Sequence, residues 1–103
     1  MDLTFNKRED HNKLLLSKLR NKLNEVYLGG GKKRIEAQHS KGKLTARERI
    51  DYLLDDKKPA IEIGALTGDE MYKEHGGCPS GGVVVKIGYI SGKQCIVVAN
   101  DAT

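Results

Sequence analysis

The hydrophobic period of this chain changes at Pro59, and that change restricts the fold to helices first and strands afterwards. Upstream, apolar residues recur three and four positions apart, as on one face of a helix. Leu16, Leu19, Leu23 and Val26 are spaced three, four and three apart, with Leu15 and Tyr27 widening the stripe. Lys18, Arg20, Lys22 and Glu25 fall mostly on the other side. The spacing predicts a helix from near Asp10 to near Leu28, stopped by Gly29, because glycine accepts the left-handed backbone of a C-terminal cap. A short second helix, about Lys32 to Ser40, should stop near Gly42. A third is announced by Thr45 and Glu48, a capping box whose hydroxyl and carboxylate satisfy free N–H groups at a helix start. Ile50, Leu53 and Leu54 give it an apolar face. Asp55 and Asp56 end it, and Pro59 prevents continuation.

Downstream, Ala60-Ile61-Glu62-Ile63-Gly64 alternates as a short strand does. Thr67 to Gly82 shows no period, and four glycines and a proline fall within Gly76–Gly82, so a loop is expected. Its missing side chains suit close approach of backbone or ligand. Two strands, Val83 to Ile90 and Lys93 to Asn100, flank Ser91-Gly92, a dipeptide made for a tight hairpin. Cys95-Ile96-Val97-Val98-Ala99 is an unbroken apolar run, the mark of a strand buried on both faces. A lone hairpin cannot bury both. The leucine stripe likewise outruns the bulky apolar surface available to cover it, with one Phe and no Trp in 103 residues. Both features predict cover from a partner subunit or a further stretch of chain.

Charge is unevenly placed. Residues 1–50 hold 13 Lys/Arg against 6 Asp/Glu, a net +7, whereas residues 51–103 hold 5 against 8, a net −3. The basic half is where an anionic partner is attracted. Its cluster is Lys32, Lys33, Arg34, Lys41, Lys43, Arg47 and Arg49. A solvated helix face and contact with the phosphates of a nucleotide-like ligand both fit, since Arg offers phosphate a planar two-pronged fork and Lys a point charge. Nucleic acid fits less well, because no aromatic residues accompany the cluster to stack bases. No run of eighteen apolar residues exists. The N-terminus lacks the apolar core of a signal peptide and carries Asp2, Glu9 and Asp10, unlike a transit peptide, which predicts a cytoplasmic protein with no membrane contact.

Other constellations carry less. Gly29-Gly30-Gly31 lacks the order of a phosphate loop and follows no strand, so it reads as a helix terminator and hinge. His75 and Cys78 have a metal-like spacing but no second pair, and no metal is expected. The same two residues make a nucleophile and base only by chance folding of the loop. Cys78 and Cys95 form no disulfide framework and read as reduced thiols.

With these residues in view, GGGKKRIEAQHSKGKLTARERIDYLLDD, from Gly29 to Asp56, resembles the opening of the carboxyltransferase (beta) subunits of biotin-dependent acyl-CoA carboxylases. GGCPSGGVVVKIGYISGKQCIVVANDAT resembles the first hairpin of their crotonase-like core. The Asn100–Thr103 ending is similar to the methylcrotonyl-CoA type, while Leu44-Thr45-Ala46-Arg47 is nearer the propionyl-CoA type. The resemblance implies an α/β fold, incomplete as given. Residues 1–58 would form an N-terminal helical segment and residues 59–103 the beginning of the crotonase-like carboxyltransferase domain.

It further implies transfer of a carboxyl group from carboxybiotin to an acyl-CoA, with biotin carried by a biotin carboxylase or biotin carrier partner and the carboxyltransferase subunits assembled as a homo-oligomer. No catalytic residue is implied among these 103 positions, because the family's oxyanion holes come from later glycine-rich segments. Arg47, Arg49, Lys41 and Lys43 are the candidates for contact with the CoA phosphates. Two other readings stay open: a non-catalytic piece serving subunit assembly, and the corresponding subunit of a biotin-dependent acyl-CoA decarboxylase.

Overall fold

The computed structural model describes residues 3–103, so Asp2 lies outside it. Three helices come first: α1 (Leu3–Tyr27), α2 (Lys32–Ser40) and α3 (Ala46–Leu53). Three strands follow: β1 (Ile61–Ile63), β2 (Val83–Ile90) and β3 (Lys93–Asn100). They form one antiparallel sheet in the order β1-β2-β3. The helix-then-strand order expected from the change of period is the order observed.

Helix α1 starts seven residues before the expected Asp10. No glycine or proline interrupts Leu3 to Asp10, and the pair formed by Lys13 Nζ and Glu9, 3.1 Å apart, supports the early turns. Gly29 ends it with φ 55°, its N–H donating to the Val26 carbonyl at 2.9 Å. Helix α3 carries both halves of the capping box: Glu48 N–H donates to Thr45 Oγ1 and Thr45 N–H to Glu48 Oε1. It ends at Leu53, before the two aspartates. Asp55 instead reaches the hairpin, where its carboxylate accepts the N–H groups of Ser91 (2.8 Å) and Gly92 (2.7 Å). Both turn residues have positive φ, 51° and 80°, as a type I′ hairpin turn requires.

One face of the sheet packs on α3. Ala46, Ile50 and Val84 are its buried centre, and Leu54, Val97 and Ala99 close around them. Ile50 and Val84 are 1% and 0% exposed. At Gly88 a Cβ would stand 2.8 Å from the Leu54 side chain, so the helix end lies directly on the strand. The helical stretch and the strands therefore share one core.

The other face is open. The register aligns Ile61, Ile87 and Ile96 across the three strands, and Ile63, Val85 and Val98 beside them. Ile96 and Val98 are 68% and 62% exposed. The apolar run of β3 reads as buried on both sides, but among the described residues it is covered on one face, by α3. The segment between β1 and β2 also departs from the plain loop expected, since it folds through a single-turn 3-10 helix, Lys73–His75, and a kinked turn at Pro79–Gly82, where Ser80 and Gly81 have left-handed backbone (φ 56° and 63°). Its limbs touch at Gly68, where a Cβ would sit 2.7 Å from the Cys78 carbonyl.

Candidate functional site

The most highly connected side chain is Arg47, in the first turn of α3. The capping box fixes the start of the helix and aims Arg47 across to β1. There Nε and Nη2 donate to the two carboxylate oxygens of Glu62 at 2.9 and 3.0 Å. Nη2 also donates to Ser80 Oγ at 2.9 Å, and Nη1 to the Val26 carbonyl at 3.1 Å. The guanidinium stands 5.3 Å from the Tyr27 ring centroid, within cation–π range. Ser80, which is buried, donates its own O–H to the Ala65 carbonyl at 3.2 Å. One side chain thus ties the end of α1, the start of α3, β1 and the glycine-rich loop. At 14% and 8% exposure, the Arg47 and Glu62 side chains are shielded from water.

Arg49 is two residues on, and two residues on a helix point far apart. Arg47 turns inward while Arg49 lines an open groove of about 540 Å³ on the other side of α3. Lys43 shares that groove, together with Gln38, Asn100, Ala102 and Thr103. Lys41, exposed at the end of α2, stands two positions upstream of Lys43. Of the four residues singled out for phosphate contact, the fold brings Lys43 and Arg49 to one groove, leaves Lys41 on the adjoining turn, and engages Arg47 elsewhere. His39 Nε2 bridges α2 to Glu48 Oε1 at 2.7 Å. The His39 contact, with the Thr45 hydrogen bonds after it, holds the Glu48 carboxyl below its usual range.

A second cavity, about 390 Å³, lies between the last turns of α1 and the glycine-rich loop and is lined by Lys22, Val26, Asp69, Met71, Cys78 and Pro79. Lys22 Nζ closes one side on Asp69 (2.5 Å) and Glu70 (3.3 Å), and these hydrogen bonds push the lysine up from its ordinary pKa. Cys78 and Cys95 are both free thiols. Among the described residues no three His, Cys, Asp or Glu side chains gather as a metal site would need, and no helix is long and apolar enough to cross a membrane.

The glycine run closes on the far end of the chain. Gly30 N–H donates to Thr103 Oγ1 at 3.0 Å, and Arg34 Nη1 to the Thr103 carbonyl at 2.8 Å. A Cβ on Gly30 would lie 2.0 Å from that carbonyl oxygen, and one on Gly29 2.5 Å from Thr103 Oγ1. Asp101 holds Thr103 in place through Oδ1, which accepts from its N–H and hydroxyl at 2.9 and 2.6 Å. Beyond ending α1, the glycines exist because another backbone passes there. The two stretches that carry the family resemblance are therefore in direct contact.

The sequence profile described as "Carboxyl transferase domain" matches residues 37–103. The chain belongs to that family. This carboxyl transferase chain is 51% identical over 89 residues to the probable methylcrotonoyl-CoA carboxylase beta chain, mitochondrial, of Drosophila melanogaster, covering 86% of the chain and 15% of the relative. It is 39% identical over 90 residues to the propionyl-CoA carboxylase carboxyltransferase subunit of Haloferax mediterranei, covering 85% and 17%. Among solved structures it is similar to transcarboxylase 12S with methylmalonyl-coenzyme A and methylmalonic acid bound, at TM-score 0.74 and 34% identity over 84% of the chain and 17% of that one. The beta subunit of geranyl-CoA carboxylase from P. aeruginosa follows at TM-score 0.53 and 32% identity, over 89% and 15%. The carboxyl transferase chain thus spans about a sixth of the length of the relatives it matches. The expected fold, helices leading into the first strands of a crotonase-like α/β domain, agrees with these neighbours.

Proposed function

We propose that this chain is the N-terminal part of an acyl-CoA carboxylase carboxyltransferase subunit, which moves a carboxyl group from carboxybiotin to an acyl-CoA. The observation that carries the reading is the contact of Gly30 and Arg34 with Thr103, which joins the two stretches of family-like sequence into one structural unit. The higher identity to the methylcrotonoyl-type relative, 51% against 39% for the propionyl-type one, supports a branched, methylcrotonyl-like acyl group. Residues 1–58 act as the helical lead-in and residues 59–103 as the opening of the crotonase-like domain.

The groove beside α3 is the phosphate subsite. Lys43 and Arg49 line it with their charges uncommitted to any carboxylate among the described residues. A charge-assisted hydrogen bond from such groups suits the 3′-phosphate or pyrophosphate of CoA. Lys41 extends the positive field, and Arg47, neutralised by Glu62, scaffolds the start of the helix that carries Arg49. Biotin belongs to a carrier partner, and no residue of this chain is assigned to hold it. The subunit works as a homo-oligomer with a biotin carboxylase partner in the cytoplasm. The test is turnover: the full-length subunit bearing this segment, supplied with a carboxylated biotin carrier, should carboxylate methylcrotonyl-CoA or propionyl-CoA. Transfer only in the reverse direction favours the decarboxylase subunit, and none at all with a folded oligomer favours an assembly piece.

A further inference from the structure

The groove beside α3 is walled by three separate stretches of chain. Gln38 and Lys43 come from the end of α2 and its turn, Thr45 and Arg49 from α3, and Asn100 and Thr103 from the end of β3 and just beyond. Helix α3 and strand β3 are set by the core that they share. Helix α2 is the least anchored of the three supports, with no buried residue and no side chain capping its start.

Two of its side chains hydrogen-bond to other parts of the fold, and each does so at a groove wall. Arg34 Nη1 donates to the carbonyl of Thr103, itself a groove residue, at 2.8 Å. His39 Nε2 meets Glu48 Oε1 at 2.7 Å. His39 directly follows Gln38 in sequence and Glu48 directly precedes Arg49, so this second pin joins the neighbours of two groove residues. The turn between them is closed by backbone, with Lys43 N–H returning to the Gln38 carbonyl at 3.0 Å and Gly42 N–H to that of His39 at 2.9 Å. Lys43 is therefore carried by the end of α2 and Arg49 by α3, and the His39–Glu48 contact spans the two.

The direction of that bond follows from its partner. Glu48 Oε1 also accepts the Thr45 N–H at 3.1 Å, and the His39 contact and then Thr45 hold the carboxyl below its usual range. An ionised carboxylate only accepts, so His39 Nε2 carries the hydrogen. The two side chains are 46% and 41% exposed, and a pair so open to water adds little to the stability of the whole chain. What it fixes is position.

We infer that His39 is a positioning residue for the groove, holding the end of α2 against α3 so that Lys43 and Arg49 stand at the separation a phosphate needs. It touches no substrate and acts through Glu48. The inference rests on the reading of this groove as the phosphate subsite.

The experiment compares His39→Ala, His39→Gln and the Lys43→Gln, Arg49→Gln double variant in the full-length subunit. His39→Ala should raise KM for acyl-CoA about threefold with kcat retained, because misplacing a binding group weakens its contact without touching the chemistry. His39→Gln, which keeps a side-chain donor, should restore the parent KM. Added to the double variant, His39→Ala should change KM no further, since the groups it positions are gone. Hydrogen exchange in peptides covering residues 38–49 should quicken in His39→Ala and not in His39→Gln, with the urea midpoint the same in all three proteins. A double variant with unchanged KM overturns the phosphate reading and this inference with it. A double variant that raises KM while His39→Ala does not, or a His39→Ala effect that persists in full on the double variant, overturns the inference alone. So does unchanged exchange over residues 38–49 in His39→Ala.

Discussion

Arg47 and Glu62 meet through two parallel hydrogen bonds of 2.9 and 3.0 Å, fifteen residues apart in sequence and on different elements. The pair is shielded, and the arginine is further satisfied by Ser80 and the Val26 carbonyl, so that the carboxylate neutralises a charge that cannot reach solvent easily. Removing one partner strands the other. Glu62→Gln or Arg47→Met should destabilise the chain by about 3 kcal/mol, the range for breaking a largely buried pair, read as a lower urea midpoint. Arg49→Met, on the groove side, should leave the midpoint nearly unchanged. Equal effects at the two arginines would mean that the network carries no stability.

Gly30 faces a different constraint. Its Cβ position is already filled by the Thr103 carbonyl, 2.0 Å away, whereas nothing lies within 4 Å of the corresponding position on Gly42. Gly30→Ala should therefore cost about 1–3 kcal/mol by overpacking and detach the 101–103 segment. Gly42→Ala, strained only by its φ of 73°, should cost about 1 kcal/mol. Hydrogen exchange at the Gly30 amide reports the first effect directly, since that N–H is bonded to Thr103 Oγ1 and should lose protection in the variant.

The pH dependence of the hairpin follows from Asp55. The N–H groups of Gly92, and then of Ser91, hold its carboxyl below the ordinary carboxylate range. A depressed folded-state pKa contributes stability that is complete above the unfolded value of about 3.9 and is lost as pH falls through the folded one. The urea midpoint should hold above about pH 4 and fall progressively as the pH drops below it. Asp55→Asn should flatten that limb, with the lost stability appearing at neutral pH instead. An acid limb identical in both proteins would contradict this.

Much of this fold is legible in the residues. The capping box at Thr45 and Glu48, the Ser91-Gly92 turn and the change of period at Pro59 are local signals, and local chemistry decides them. Burial is not local. Cys95 to Ala99 reads as a doubly buried strand, yet which face is covered depends on where α3 lands. The site divides in the same way. Lys43 and Arg49 were legible as phosphate candidates from charge alone, and they share a groove. Arg47 was indistinguishable from them by composition. The helical rule that residues two apart point away from each other is the sequence signal that separates it from Arg49. Its partner Glu62 carried no such signal, because pairing of α3 with β1 is a product of tertiary packing. The role of Gly29 and Gly30 depended in the same way on Thr103, more than seventy residues away.

The groove is where the functional account is most exposed to contradiction. In the full-length subunit, Lys43→Gln with Arg49→Gln should raise KM for acyl-CoA about tenfold, the loss of roughly one charge-assisted hydrogen bond, with kcat retained. Comparing acyl-CoA with its 3′-dephospho analogue in the same assay locates the contact. The parent subunit should discriminate between the two substrates and the variant should not, if the groove holds the 3′-phosphate. A variant whose KM is unchanged for both substrates would contradict the account and leave Lys43 and Arg49 as solvated surface.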